Sequence, residues 1–277
     1  ILISPHNQDI IYFGSNKLHR SFNGGDDWEE ISKDLTSGGK KGNVPYGTIT
    51  SFDESNFQFG KLIVGSDDGI VSISNDSGKT WKSLSDNLPP DLWVSRVIFS
   101  KHEKNTIYLS LNGYRYNDFK PYIYVSNDNG DSWENISSNL PLSPVNVIRE
   151  DINRKEILYV GTDNGLFISF NNGKKWHPFE SSLNRVAVHD LVIQNEKNDL
   201  LVGTHGRSIY KTNLDLFNDF MIEKNGEKPL IIFEINDLRH SNSWGKRSNY
   251  SDDVFKSSVK TIAVSYTHLT LPTTGIV

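Results

Sequence analysis

Short apolar runs separated by turn residues recur along the first 213 residues. One class of run is rich in β-branched and aromatic residues and ends on a small residue, at 11–14, 62–65, 107–110, 158–161 and 201–203. A second class precedes four of these runs, at 48–52, 94–99, 145–148 and 188–193, and alternating segments that close on leucine follow. Short runs of this kind bounded by Gly, Asn and Asp are typical of antiparallel strands with tight turns. The pattern therefore predicts an all-β fold built from four-stranded units.

Four of the six tryptophans end one recurring phrase of eight residues. It reads SFNGGDDW at 21–28, SNDSGKTW at 74–81, SNDNGDSW at 126–133 and SFNNGKKW at 169–176, so the tryptophans are 53, 52 and 43 residues apart. Self-similarity at roughly 40 to 50 residues is typical of propellers and solenoids, and four-stranded units of that length are propeller blades. We predict a β-propeller with about five antiparallel blades of a larger, incomplete ring, at 1–35, 46–88, 93–140, 144–183 and 186–212. The fifth is expected to have three strands.

The repeated phrase matches the Asp-box, S-x-D-x-G-x-[ST]-W. Its glycine supplies the positive φ of a tight turn, and the Asx side chain two residues earlier can accept hydrogen bonds from amides in that turn. The tryptophan is expected to pack between neighbouring blades. The motif indicates a fold more than an activity, because Asp-boxes occur in sialidases, xyloglucanase-type hydrolases, sortilin-type receptors and photosystem assembly factors. We predict that the residues of the motif have structural roles. These residues are Ser74, Asp76, Gly78, Trp81, Ser126, Asp128, Gly130, Trp133, Asn171, Gly173 and Trp176.

Residues 1–213 resemble one family through several further stretches. These are WVSRV at 93–97, LNGYRYNDFKPY at 111–122, PVNVIRED at 144–151, VHDL at 188–191 and GTHGRSIY at 203–210. They are similar to the large bacterial sortilin-like propeller proteins with Asp-box repeats, which are often labelled glycosyl hydrolases on fold grounds alone. The resemblance implies a secreted, periplasmic or cell-surface protein, with the remaining blades and a signal peptide upstream. It implies no settled activity.

Strand order within a blade predicts where a ligand would bind. The Asp-boxes are turns between third and fourth strands, so the opposite face collects the second-to-third and fourth-to-first connections, where propellers commonly bind ligands. On this face the loop 112–121 is unusually long and rich in residues suited to stacking on a sugar or contacting a peptide. The alternative is that the loop only packs on a blade or plugs the channel. Candidate ligand-binding residues are Trp93, Arg96, Tyr114, Arg115, Asn146, His189, His205 and Arg207.

Carboxylates are the candidate catalytic groups of this sequence. Glycoside hydrolysis requires two of them at a defined separation, and Asp118 and Asp190 could reach one cleft, although no spacing selects a pair. For Arg96 and Asp190 the alternative is a buried inter-blade ion pair, and for His189 and His205 it is a turn histidine with satisfied hydrogen bonds. We expect a non-catalytic ligand-binding or scaffold propeller that binds protein or glycan through these loops. The alternative is a xyloglucanase-type glycoside hydrolase with catalytic residues partly in missing blades.

Composition narrows the classes of function. The 29 basic and 34 acidic residues give a formal charge of −5, which provides no basic field for nucleic acid. The absence of cysteine excludes disulfides, zinc-thiolate sites and a cysteine nucleophile. No apolar run approaches the roughly 18 residues that a membrane-spanning helix needs. The eight histidines lack metal-ligand spacing, so we predict neither a metal site nor a cofactor.

The C-terminal quarter departs from the repeat. Residues 213–263 are interpreted as a connector or the start of a C-terminal domain, with a short helix near 214–222. The stretch 264–277 reads as the in-frame translation of a transposon-type sequencing adapter, and we exclude it from the fold.

Overall fold

Five antiparallel sheets follow one another along the chain. The computed structural model describes residues 1–38, 47–179 and 185–215. We number the sheets as blades 1 to 5. Blade 1 contains β1 Leu2–Ile3, β2 Ile11–Gly14, β3 Leu18–Ser21 and β4 Glu29–Glu30; blade 2 contains β5 Ile49–Glu54, β6 Leu62–Ser66, β7 Val71–Ser74 and β8 Lys82–Ser83. Blade 3 contains β9 Trp93–Phe99, β10 Ile107–Asn112, β11 Tyr122–Ser126 and β12 Glu134–Asn135; blade 4 contains β13 Val145–Glu150, β14 Leu158–Thr162, β15 Gly165–Ser169 and β16 His177–Pro178; blade 5 contains β17 Val188–Gln194, β18 Asp199–Thr204 and β19 Ile209–Asn213.

The strands of each blade pair in chain order, as a meander. First strands of successive blades contact one another, β5 with β9, β9 with β13 and β13 with β17. The first strands therefore lie on the inside of a curved row of sheets, which is the arrangement of propeller blades around an axis. The predicted all-β propeller with antiparallel blades is confirmed, and blade 5 has three strands among the described residues. The row does not close into a ring.

The hydrophobic core is divided into slabs that lie between adjacent blades. One slab joins Ile63 of blade 2 to Val97 and Leu109 of blade 3, and another joins Ile123 of blade 3 to Val160 of blade 4. The second strands are thus covered on both faces, which explains why β6, β10 and β14 are buried along their whole length. Strands covered on both faces are apolar in continuous runs, without strict alternation.

The small residue that ends each β-rich run marks the closest approach of two blades. A Cβ atom built on Gly65 would lie 2.2 Å from Val94 Cγ1 of the next blade, and one built on Gly161 would lie 2.6 Å from Val188 Cγ1. The corresponding atom on Gly203 of blade 5 would have 3.5 Å to its nearest neighbour, the Asp190 carbonyl oxygen. The repeated small residue is therefore a requirement of blade-to-blade packing.

The Asp-box turns have the predicted geometry. In the second copy, Ser74 Oγ accepts the Gly78 N–H at 2.9 Å, and Asp76 accepts both the Thr80 N–H at 2.9 Å and the Thr80 hydroxyl at 2.6 Å. The glycine φ angles are 103°, 89°, 90° and 81° in the four copies, a region that favours glycine. In the first copy the roles are exchanged, because Asn23 Nδ2 donates to the Asp27 carboxylate while Asn23 Oδ1 accepts the Asp27 N–H. The departure in the first copy therefore preserves both the amide bond and a side-chain bond across the turn.

The Asp-box tryptophans join each blade to the one before it. Their indole N–H groups donate to backbone carbonyls of the preceding blade, Trp81 to Ile31, Trp133 to Leu84 and Trp176 to Ile136. Trp28 differs: it is 46% exposed and donates to Gly25 in its own turn. Among the described residues, blade 1 has no preceding sheet for Trp28 to pack against.

Some predictions lie outside the described residues. The connector or C-terminal domain predicted at 213–263 and the short helix near 214–222 lie outside them from residue 216 onward, and the adapter sequence predicted at 264–277 lies outside them entirely; these stay predictions. Within the described ranges, the structure contains no helix that is long and apolar enough to cross a membrane.

Candidate ligand-binding face

The second-to-third turns lie next to the starts of the first strands. Backbone amides of these turns donate to residues just before the inner strand of the same blade, Asp67 to Thr48, Asp163 to Pro144 and His205 to Ala187. The Asp-box turns instead bond the connections between first and second strands, as in the Asn129 amide to the Asn105 carbonyl. The chain therefore presents two distinct faces, and the candidate residues lie on or near the one opposite the Asp-boxes.

The 112–121 loop is an ordered structure held by its own polar groups. It contains a 3₁₀ turn at Tyr114–Tyr116, followed by Asn117 in the left-handed region at φ 56°. Asn112 Oδ1 accepts the Tyr114 N–H, and Asp118 Oδ2 accepts the Tyr122 hydroxyl at 2.6 Å. A Cβ on Gly113 would lie 2.7 Å from the Asp118 carbonyl oxygen, so this position requires glycine. The loop is preorganised.

Three aromatic side chains on this loop face solvent. Tyr114 is 60% exposed, Tyr116 47% and Phe119 46%. The rings of Tyr114 and Phe119 pack edge to face with centroids 6.0 Å apart. Exposed aromatic residues clustered on a rigid loop are characteristic of binding surfaces.

Arg115 links this loop to the start of β9 and to blade 2. Its guanidinium carbon lies 5.2 Å from the centroid of the Trp93 ring, a cation–π geometry. Its Nη1 lies 3.7 Å from Oδ2 of Asp67, which is buried after β6. The predicted candidates Trp93, Tyr114 and Arg115 are therefore brought together in one cluster.

Asn146 and His189 have equivalent positions in the inner strands of blades 4 and 5. Each lies at a bulge in the inner strand, where the register with the second strand shifts. Asn146 is buried, and it also bonds Asn112 and Asp163, so its amide lies in the interior and not on a free surface. His189 has the same place in blade 5 but is exposed. The bulge side chains of the other blades donate to the next inner strand: Thr50 to the Val94 carbonyl at 2.6 Å, Ser95 to that of Val145 at 2.8 Å, and Asn146 to that of Val188 at 3.2 Å.

Arg96 and Asp190 form an ion pair between blades that are not adjacent. Arg96 Nη2 lies 2.8 Å from Asp190 Oδ1, and Arg149 Nη2 of the intervening blade 4 lies 3.4 Å from the same oxygen. Burial, and next the positive charge of Arg96, lower the pKa of Arg149 to about 10. Arg96 and Asp190 therefore form the inter-blade ion pair of that alternative, but the pair is not buried, because Asp190 is 53% exposed. Arg149 was not selected from the sequence, since an arginine within a strand gives no signal of its partner.

The two catalytic candidates each have other partners. Donation from the Tyr122 hydroxyl lowers the pKa of Asp118, which favours the ionised form. A general acid needs the opposite shift. Asp190 accepts from two guanidinium groups. These contacts give both aspartates a structural role.

His205 and Arg207 lie together on the turn between β18 and β19. Both are exposed, and the rings of His189 and His205 have centroids 5.2 Å apart. Across the described residues, no group of three or more His, Asp or Glu side chains is placed to hold a metal ion.

The second half of the chain matches a known protein family. The family described as "Sortilin-Vps10: Sortilin, neurotensin receptor 3," matches residues 121–269, which is more than half of the chain. The chain belongs to the Sortilin-Vps10 family. The match begins at the end of the 112–121 loop and includes blades 4 and 5.

A curated relative of this Sortilin-Vps10 chain is a yeast sorting protein. The vacuolar protein sorting/targeting protein PEP1 of Saccharomyces cerevisiae (strain RM11-1a) is 30% identical over 99 residues, which are 36% of this chain and 5% of PEP1. The chain thus matches only a small part of that protein's length.

Solved structures similar to this Sortilin-Vps10 chain share its fold at low sequence identity. The GH74 xyloglucanase from Xanthomonas campestris has a TM-score of 0.60 at 14% identity, covering 78% of this chain and 36% of the xyloglucanase. The extracellular domain of the putative one component system BT4673 from B. thetaiotaomicron has a TM-score of 0.54 at 18% identity, covering 78% and 26%. A chain of the nidogen/laminin complex has a TM-score of 0.54 at 11% identity, covering 75% and 73%. At these identities the likeness concerns the fold alone.

Proposed function

We propose that this chain is part of an exported propeller that binds a macromolecular ligand, protein in preference to glycan, through the 112–121 loop. The observation that carries the proposal is the exposure of Tyr114, Tyr116 and Phe119 on a preorganised loop beside Arg115. Tyrosine and arginine are enriched among residues that dominate protein interfaces. An ordered loop loses little conformational entropy when it binds.

The similar proteins support the location and the class of ligand in this proposal. Sortilin-Vps10 membership and the extracellular domain of BT4673 favour a secreted, periplasmic or cell-surface location. The similar nidogen/laminin chain comes from a complex between proteins, which supports protein as the class of ligand. In the proposal the blades act as a rigid support that carries no chemistry.

Site-specific photo-crosslinking tests the proposal. A benzoylphenylalanine residue at Tyr116 is expected to crosslink a defined extracellular or envelope protein of the source organism. The same residue at Phe57 is the matched control, because Phe57 is 46% exposed, like Tyr116 at 47%, but lies in the connection between β5 and β6 on the Asp-box face. Equal labelling at both positions, or none at Tyr116, would contradict the proposal.

The glycoside hydrolase alternative is tested with the same protein. Purified chain is incubated with xyloglucan and other β-glucans, and released reducing ends are measured. We expect no release above the buffer control. Release that falls by about 10²-fold or more in Asp118→Asn or Asp190→Asn would replace binding with hydrolysis as the function, since loss of an acid or base catalyst costs on that order.

A further inference from the structure

The guanidinium group of Arg115 is fixed in position, but it donates no hydrogen bond among the described residues. The Trp93 ring lies on one side of it, and the Asp67 carboxylate is 3.7 Å from Nη1, beyond ordinary hydrogen-bond length. Within the described residues Nη1 is buried without a hydrogen-bond partner. The side chain as a whole is 34% exposed, so another edge of the group reaches the surface.

Other partly buried arginines of the described chain have acceptors. Arg20 donates twice to Glu29, Arg96 donates to Asp190, and Arg149 donates to the Leu191 carbonyl. Arg96 also has a buried Nε without a partner, but it donates to Asp190 through Nη2, whereas Arg115 has no hydrogen-bonded acceptor among the described residues. The indole N–H of Trp93 beside Arg115 is also buried and unpaired. Unsatisfied buried donors are costly to a fold and concentrate at places that have another role.

The nearby carboxylates do not accept a hydrogen bond from Arg115. Asp67 Oδ1 already accepts the Thr48 N–H at 2.7 Å. Asp118, on the loop itself, accepts the Tyr122 hydroxyl and the Lys120 N–H. Both carboxylates are held by these bonds at positions that leave Arg115 without a close acceptor. Arg115 lies between Tyr114 and Tyr116 in the chain, and both of these neighbours are exposed.

We propose that Arg115 binds an acidic side chain, Asp or Glu, of the partner protein, and that Tyr114 and Phe119 contact an apolar residue next to it. A guanidinium group can donate two parallel hydrogen bonds to one carboxylate, and such bonds are stronger than those between neutral groups. The Trp93 ring holds the guanidinium plane in place before the ligand arrives, which lowers the entropic cost of binding. The inference rests on the proposed function, because it names the chemistry that the 112–121 loop recognises.

Matched peptide pairs test this inference on the full chain. The probe is an array of twelve-residue peptides in which each member with Glu beside Leu or Phe has a partner with Gln in place of Glu. Dissociation constants of the tightest pairs are then measured in solution by fluorescence anisotropy. We expect the Glu peptide to bind at least tenfold more tightly than its Gln partner, and the difference to shrink between 50 mM and 500 mM NaCl because exposed charges are screened.

Three variants separate the role of Arg115 from general effects. Arg115→Gln should abolish the preference for Glu, and Arg115→Lys should keep part of it, since lysine retains the charge but not the planar fork. Arg185→Gln is the control, because Arg185 is an exposed arginine outside the 112–121 loop and is not among the candidate ligand-binding residues. If Arg115→Gln does not fold, the Arg115→Lys comparison and the salt titration decide the question.

The outcomes distinguish the inference from the proposed function. If Tyr114→Ala weakens binding but Glu and Gln peptides bind equally, the loop binds protein and the acidic-ligand inference is wrong. A Glu preference that persists in Arg115→Gln also overturns the inference. If no peptide binding depends on Tyr114, or a glycan binds through the loop instead, both the inference and the proposed protein-binding function are wrong.

Discussion

At the scale of single residues, the Asp-box turn forms with either Asp or Asn at the third position of the motif. Asp76 and Asp128 accept a hydroxyl and an amide from the residue four positions later, while Asn171 accepts only an amide from that position, the N–H of Lys175. The turn forms with either side chain because the amide contact requires only an oxygen acceptor. The sequence predicted this correctly, since every atom involved lies within eight consecutive residues.

The acidic copies give the fold a pH dependence. Donation from the Thr80 and Ser132 hydroxyls lowers the pKa of Asp76 and of Asp128 to about 2. A carboxyl with a lowered folded-state pKa stabilises the fold above its unfolded pKa, near 3.8, and this contribution is lost as the pH falls through 2. We expect the melting temperature of the Asp76→Asn, Asp128→Asn double variant to fall less between pH 5 and pH 2 than that of the unaltered protein.

The control for this prediction lies in the same turn. Asp131 is exposed and pairs with Lys82, outside the Asp-box hydrogen bonds. Asp131→Asn should leave the dependence of the melting temperature on acid nearly unchanged. Identical acid profiles for the double variant and the unaltered protein would show that these aspartates do not stabilise the turn through their charge.

At the scale of the element, the second strands are shaped by the next blade. Gly161→Ala would place a methyl group 2.6 Å from Val188 Cγ1 and 2.7 Å from Val147 Cγ1, so the blades must shift. Overpacking of this kind costs about 1–3 kcal/mol. Gly203→Ala at the equivalent place has 3.5 Å to its nearest neighbour and should change the free energy of unfolding by less than about 0.5 kcal/mol. Urea unfolding of the two variants measures this difference, and equal losses would contradict blade-to-blade contact as the reason for glycine.

The bulged inner strand shows where prediction from sequence alone stopped. Asn146 and His189 were predicted to bind ligand because they lie near strand starts on the favoured face. The structure places both at a bulge, which directs Asn146 to the next blade as it does Thr50 and Ser95. His189 of blade 5 is exposed, and its role in ligand binding stays a prediction. Residues as different as Thr, Ser and Asn make the same contact, so no residue type marks it. A bulge depends on the pairing of two strands and is not visible in one of them.

At the scale of the whole molecule, charges on three blades meet around one carboxylate. Asp190 lies between Arg96 and Arg149, and its replacement by Asn leaves two guanidinium groups facing each other. Because Asp190 is 53% exposed, solvent screening limits the loss of unfolding free energy to about 1 kcal/mol. We expect this loss to shrink at 1 M NaCl, and to be largely restored by a second change, Arg149→Met.

The comparison pair for this prediction is an exposed one. Lys82 and Asp131 are both more than 60% exposed, and Lys82→Ala should have little effect on unfolding at either salt concentration. A loss in Asp190→Asn that does not depend on salt, or that Arg149→Met does not relieve, would mean that Asp190 stabilises the fold through packing and not through charge.

The sequence alone determined the blade repeat, the Asp-box turns and the face on which the long loop lies. These follow from local physics: strand patterning, glycine at positive φ, and the alternation of turns along antiparallel strands. The tertiary structure alone decided which candidates share a site. It joined Trp93 and Arg115 to Asp67 of another blade, buried Asn146 between blades, and set Asp190 between two arginines. The physical reason is that blade curvature and strand bulges set distances between residues far apart in the chain, and a single sequence carries no local signal of them.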